Sequence, residues 1–348
     1  MNIEIAQIKI GDDYLAFIVA ELSANHRQDF TVAVNTIKAM KEAGADAVKL
    51  QTYTPDTLTL QCQSDHFRIK QNTIWDGKTF YDLYQEAYTP WEWQPKLKKI
   101  AEDLGLICFS SPFDKTAVDF LEEMNVPCYK VASFEITDIP LIEYIASKGK
   151  PIIISTGIAT LADIEEAVNA CKKKDNYQIV LLKCTSAYPA PFEHIHLRTL
   201  PVLKEAFQTI VGLSDHTLGI SVPIAAVALG AKIIEKHFIL DRKLGGPDAA
   251  FSLEPEEFKE MINLVREAEK ALGSAKFELS DKAKKSREFS RSLFVVKDIN
   301  AGDIFTEENI KSIRPGYGLH PKYFYEILGK RAKKALKKGT PLSWDLMD

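Results

Sequence analysis

Residues 210–238 read IVGLSDHTLGISVPIAAVALGAKIIEKHF: two short apolar runs, each ending in polar residues, joined by room for one helix and two short loops. Apolar, β-branched runs of this kind belong to strands buried on both faces, which pair in parallel through a crossover helix. The unit recurs upstream as FIVAELSANH (17–26), AVKLQTY (47–53), LICFSSPFD (106–114), CYKVASFE (128–135), PIIISTG (151–157) and IVLLKCTSAYP (179–189). Together these make eight runs, spaced by roughly 20–30 residues except between the second and third. Eight strand–helix units predict an α/β fold, a closed (β/α)8 TIM barrel whose active site lies where the strands end. The residues at those ends are lysines, glutamates, histidines and serines, which a barrel built only for stability has little reason to carry.

The 348 residues exceed an ordinary barrel by about one small domain. The expected division is a barrel over residues 1–275 with a strand pair at 1–15, a charged linker at 276–290, and a small domain at 291–348. No apolar run approaches the roughly 20 residues of a membrane span, and the alternating N-terminus MNIEIAQIKIGDDYLAF lacks the apolar core of a signal peptide. Five cysteines form no CxxC pair, so reduced thiols and a cytoplasmic location are expected. From Asp281 onward 15 Lys and Arg face 9 Asp and Glu, while the preceding residues hold 29 against 39. Such asymmetry fits two solvated surfaces, or a basic module closing over an anionic ligand. No basic stripe is interleaved with exposed aromatics, which argues against nucleic acid.

Helical patterns follow the runs. In TVAVNTIKAMKEAG (31–44), Val32, Val34, Ile37 and Met40 form a stripe and Gly44 a stop. In TLADIEEAVNACKKK (160–174), Thr160 can cap and Asp163 suits the positive helix end. The long gap between the second and third runs, residues 54–93, is rich in Trp, Tyr and Phe. An extension there lies beside the active site, either as a wall or lid against a sugar or packed on the outer helices.

His216 and His237 end adjacent strands, close enough for one divalent ion, Mn2+ or Zn2+, although separate hydrogen-bonding roles fit equally. Lys49 and Lys130, with Ser111, Ser133, Ser155, Ser186 and Ser214, converge as cations and hydroxyls do around phosphate and carboxylate. A Schiff-base lysine is the alternative, and Lys49 or Lys130 pairing with Glu21 or Glu135 a structural one. Glu21, Glu235 and Asp248 are the acid–base candidates; the two-residue period puts Glu235 and His237 on one side of their strand. Asn25 and His26 are expected to shape the first loop. A non-catalytic carbohydrate- or ice-binding role would leave all these groups without a purpose.

Taken together, AELSANH, VKLQTY, SSPFD, YKVASFE, STGIATLADI, CTSAYP, GLSDHT, EKHF and GPDAAFSLEP, followed by SRSLF and IRPGYG, closely resemble the motifs of the sialic acid synthase family over the whole chain. The C-terminal segment resembles that family's antifreeze-protein-like (SAF) domain. ELSANH, QTYTPDTLTL and WDGKTFYDLYQEAYTPWEW resemble the pseudaminic branch; Gln28 and Leu50 stand where sialic acid synthases tend to carry Gly and Phe. The resemblance implies condensation of phosphoenolpyruvate with 2,4-diacetamido-2,4,6-trideoxy-L-altrose, or alternatively with N-acetylmannosamine or the legionaminic acid precursor. It implies Lys49, Gln51, Ser111, Lys130, Ser133, Ser155, Ser186 and Ser214 as phosphoenolpyruvate ligands, and His216 and His237 as ligands of Mn2+ or Mg2+. Glu21 and Glu235 share the stabilisation of charge and the movement of protons. Tyr188, Asp248, Phe289 and Arg314 are the implied sugar contacts, with Arg314 supplied by a partner subunit in a domain-swapped homodimer. Lys183 falls outside the implied set.

Overall fold

The computed structural model describes residues 2–70 and 73–348; Gln71 and Asn72, within the aromatic insertion, lie outside the described residues. The chain forms two compact units, Met1–Gly273 and Ser274–Asp348.

The first unit opens with a hairpin of β1 (Asn2–Ile5) and β2 (Ile8–Gly11). Each of the eight apolar runs then supplies one strand: β3 (Phe17–Glu21), β4 (Ala47–Thr52), β5 (Ile107–Pro112), β6 (Tyr129–Val131), β7 (Ile152–Ser155), β8 (Ile179–Cys184), β9 (Ile210–Asp215) and β10 (Ile233–His237). They close into a parallel barrel in chain order, β10 pairing with β3 through His237 opposite Glu21. Alternate side chains divide between two cores. Phe17, Val19, Ala47, Phe109, Ile153, Val180 and Ile233 pack inside the barrel, and Ile3, Ile5 and Ile10 of the hairpin join that same cluster. The hairpin therefore stoppers the end away from the strand tips. The outward residues, among them Ile18, Val48, Ile154, Leu181 and Ile234, pack against the helices.

Local signals end the helices where the sequence places them. The helix Phe30–Ala43 stops at Gly44, whose φ of 96° is left-handed and whose N–H caps the carbonyls of Met40 and Lys41. Thr160 and Asp163 form a reciprocal capping box at the start of Leu161–Lys172. Pro255 opens the 18-residue helix Pro255–Leu272 that follows β10.

The second unit has its own core of Leu293, Val295, Ile299, Phe305, Ile310, Leu336 and Leu342 around the antiparallel pair β11 (Ser292–Val295) and β12 (Ile310–Ile313). The charged stretch expected to be a linker contains a short helix, Asp281–Ser286, capped by the Ser280 side chain. No helix among the described residues is long and apolar enough to cross a membrane.

Candidate active site

A cavity of about 470 Å3 occupies the barrel mouth. Of the barrel residues expected there, Glu21, Lys49, Gln51, Lys130, Ser133, Ser155, Ser186, Tyr188, Ser214, His216, Glu235, His237 and Asp248 all line it. Ser111 does not: it is buried, and its hydroxyl has no hydrogen-bond partner. Lys183 also lies outside the lining, with its ammonium on the Cys184 carbonyl at 2.6 Å. Phe289 and Arg314 belong to the second unit, where Phe289 is 70% exposed and Arg314 follows β12 on an exposed turn.

At the floor, Lys49 bridges two buried carboxylates, 3.0 Å from Glu21 and 2.8 Å from Glu235. Burial works against its charge, but the two carboxylates outweigh it and raise the ammonium above its ordinary pKa. Lys130, on β6, donates to Ser155 Oγ at 2.7 Å and lies 3.8 Å from Glu235. Burial outweighs the attraction of Glu235, and with the repulsion of nearby Lys49 it lowers the Lys130 pKa. The lysines thus differ: one is saturated by carboxylates, and the other holds its charge less firmly. Two buried cations aimed into a cavity are what a polyanion requires. Neither pairs with Glu135, the structural partner that sequence reasoning considered.

Hydroxyls surround the lysines. Ser214 donates to Glu235 at 2.9 Å, and Ser186 to Ser133 at 2.7 Å. The second contact needs Gly157, because a Cβ there would stand 2.2 Å from Ser186 Oγ and 2.4 Å from Ser133 Oγ. Glu21 accepts from Gln51 at 2.9 Å and lies 3.3 Å from His237 Nε2. Burial pushes the Glu21 carboxyl up, yet His237 and Lys49 hold it well below the usual carboxylate range.

The imidazoles of His216 and His237 lie with ring centroids 5.3 Å apart over Phe251. His216 Nδ1 lies 3.3 Å from the Thr185 carbonyl. His237 Nδ1 is buried without a hydrogen-bond partner, 3.8 Å from an Asp248 oxygen. Two convergent imidazoles, one with an unsatisfied nitrogen, fit a divalent ion bound by few protein ligands. No larger cluster of His, Cys, Asp or Glu arranged to hold an ion is found among the described residues.

The strands bearing these histidines are fastened from behind. Lys236, between Glu235 and His237, points away from the cavity and pairs with Asp215 at 2.5 Å, both side chains fully buried. Lys236 also donates to the Thr217 carbonyl at 2.7 Å, while Asp215 accepts from the Thr217 N–H and hydroxyl.

The chain matches the NeuB family over residues 36–277 and the SAF domain over 290–346. It belongs to the NeuB family. Among NeuB relatives, a pseudaminic acid synthase of Helicobacter pylori is 50% identical over 329 residues, 94% of this chain and 96% of that one. A pseudaminic acid synthase of Campylobacter jejuni is 48% identical over 330 residues, 95% of this chain and 96% of that one. The solved structure of N-acetylneuraminic acid synthetase from Leptospira borgpetersenii, in complex with citrate, superposes with a TM-score of 0.74 at 32% identity, covering 83% of this chain and 96% of that one.

This NeuB chain carries two polar groups in its cavity that sequence reasoning did not place there. Ser23 donates to Asp248 at 2.5 Å and accepts from Gln51 at 3.0 Å, so it orients both. Glu135 lines the wall with one carboxyl oxygen buried and unpartnered; burial raises its pKa to about 7. Its position at the end of the fourth apolar run was the available signal. Asn25 and His26 shape the first loop as expected: Asn25 donates to the Phe238 carbonyl at 3.0 Å, and His26 is buried 3.2 Å from the Thr89 hydroxyl.

Proposed function

We propose that this chain is a phosphoenolpyruvate-dependent nonulosonic acid synthase that condenses phosphoenolpyruvate with 2,4-diacetamido-2,4,6-trideoxy-L-altrose, giving pseudaminic acid and inorganic phosphate. One observation carries the reading: two buried lysines ringed by serines meet two converging imidazoles at a single barrel mouth. The half-identical pseudaminic acid synthases supply the acceptor.

In this reading Lys49, Lys130, Ser133, Ser155, Ser186 and Ser214 hold the phosphate and carboxylate, with Gln51 assisting. Ser111, outside the lining, is left out of this set. His216 and His237 would hold Mn2+ or Mg2+, which supplies Lewis-acid polarisation of the acceptor aldehyde. The phosphoenolpyruvate methylene carbon attacks the aldehyde carbon, and positive charge develops at carbon 2. Glu21, ionised and 3.3 Å from His237, faces that charge and stabilises it electrostatically. Water adds at carbon 2, Glu235 takes its proton through the oxygen left unpartnered at the floor, and phosphate departs by C–O cleavage. Glu135, poised near neutrality, gives or takes a proton at the cavity wall. Tyr188 and Asp248 contact the sugar. Phe289 and Arg314 act from the SAF domain of a partner subunit in a domain-swapped homodimer, which the exposure of both residues supports. The five free cysteines support a reducing, cytoplasmic setting.

The test is phosphate release from phosphoenolpyruvate with Mn2+, offering the diacetamido altrose and N-acetylmannosamine in parallel. The altrose sugar should be strongly preferred. Preference for N-acetylmannosamine overturns the acceptor, and silence with both reopens it, the legionaminic acid precursor being offered next.

A further inference from the structure

The cavity has two chemically different ends. The floor is lined by charges and hydroxyls; the outer wall comes from the insertion between β4 and β5. There Leu58, Ile69, Trp75, Phe80, Leu83 and Ala87 face the space, together with Tyr84 and with Thr73, whose hydroxyl is taken up by Asp76; among the described residues no insertion residue lining it is charged. The donor that Trp75 carries is already used, because its Nε1–H donates to the Pro247 carbonyl at 3.0 Å. Tyr188 connects the two ends, with its ring 4.5 Å from His216 and 5.5 Å from Trp75. An open-chain sugar anchored by its aldehyde at the histidines therefore runs across Tyr188 and presents its last carbons to the apolar wall.

From this juxtaposition we infer that the wall, with Trp75 at its centre, selects the acceptor by its carbon 6, taking a deoxy methyl and rejecting a hydroxymethyl. The inference rests on the proposed function and deepens it. A terminal hydroxyl entering beside Trp75 loses water and meets mainly aliphatic and aromatic carbon, whereas a methyl gains contact. Gln28 acts on this selection at one remove. It does not line the cavity; its amide donates to the carbonyls of Glu86 at 3.2 Å and Tyr88 at 2.6 Å, at the C-terminal end of the helix Phe80–Ala87 that carries half the wall. Gln28 is thus a positioning residue, tying the wall to the loop after β3.

The experiment compares kcat/KM for 2,4-diacetamido-2,4,6-trideoxy-L-altrose and for its 6-hydroxy analogue, 2,4-diacetamido-2,4-dideoxy-L-altrose, using the full-length enzyme with Mn2+. Wild type should favour the deoxy sugar by about 10–200-fold, the range a single hydrophobic contact supplies. Trp75→Ala should narrow that ratio at least tenfold. Gln28→Ala should narrow it less, with the KM for phosphoenolpyruvate unmoved in both. Thermal unfolding confirms that each variant is folded; Trp75→Leu replaces Trp75→Ala if it is not. Equal use of both altroses by wild type overturns the inference, as does a variant that lowers both rates in proportion. If neither altrose is used while N-acetylmannosamine releases phosphate, the proposed acceptor has failed instead, and the two failures are distinguishable.

Discussion

Lys236→Met should cost the barrel roughly 3–5 kcal/mol, the usual consequence of stranding one member of a buried ion pair. Lys236 and Asp215 are both without solvent exposure, 2.5 Å apart. Methionine keeps most of the aliphatic stem but removes the charge and the bond to the Thr217 carbonyl. Asp215 is then left in a dry environment with only the Thr217 N–H and hydroxyl as donors. Adding Asp215→Asn removes the stranded charge while its amide oxygen still accepts from Thr217, so the double variant should recover to within about 2 kcal/mol of wild type. Urea titration followed by tryptophan fluorescence reads the barrel, which holds Trp75, Trp91 and Trp93, against Trp344 in the second unit. A loss below about 1 kcal/mol in the single variant, or equal losses in single and double, refutes a buried-charge account. Activity should fall with the single variant as well, since the pair fastens the segments bearing His216 and His237.

Three further outcomes are expected. EDTA should abolish phosphate release and Mn2+ or Mg2+ restore it; undiminished turnover in chelator would remove the Lewis-acid role. Arg314→Ala should slow the reaction roughly 10- to 1000-fold, about 1.4–4 kcal/mol, with the barrel's unfolding unchanged; a wild-type rate places the arginine outside the reaction. Glu135, with its pKa raised from 4.5 to about 7, binds its proton more tightly in the folded than in the unfolded chain. Stability is therefore lost as pH rises from about 4.5 to 7, by up to roughly 3 kcal/mol. Glu135→Gln should flatten that slope and leave the ligand-free protein more stable than wild type at pH 8; an unchanged pH–stability curve contradicts the raised pKa.

The barrel was legible because buried parallel strands read as unbroken apolar runs and each ended in polar residues. The site was legible for the same reason: on β10 a two-residue period separates Glu235 and His237 from Lys236 without knowledge of any partner. What the period could not say was where Lys236 went, since Asp215 is distant in sequence and the pair has no motif. Ser111 shares the inward side of β5 with Phe109, yet its buried hydroxyl is not among the groups that line the cavity. The insertion resisted for a different reason. Apart from the helix Phe80–Ala87 its residues have no period, and they divide between two tasks: Trp75 and Leu83 line the cavity, while Trp91 stacks on Phe120 and Trp93 meets Phe30 among the barrel helices. Gln28 read only as a mark of the pseudaminic branch; what its side chain holds, the backbone carbonyls of Glu86 and Tyr88, has no sequence signal.

The hairpin of β1 and β2 has a kinetic meaning as well as a structural one. With Ile3, Ile5 and Ile10 wedged into the barrel interior, the barrel is a vial rather than a tube: loading and emptying share one neck. Glu235 sits two residues further down β10 than His237, roughly 6.6 Å. A reactant seated on Lys49 and Lys130 is therefore the first in and the last out. If phosphoenolpyruvate sits there as proposed, product-inhibition kinetics should show it binding before the sugar and phosphate leaving after the nine-carbon product.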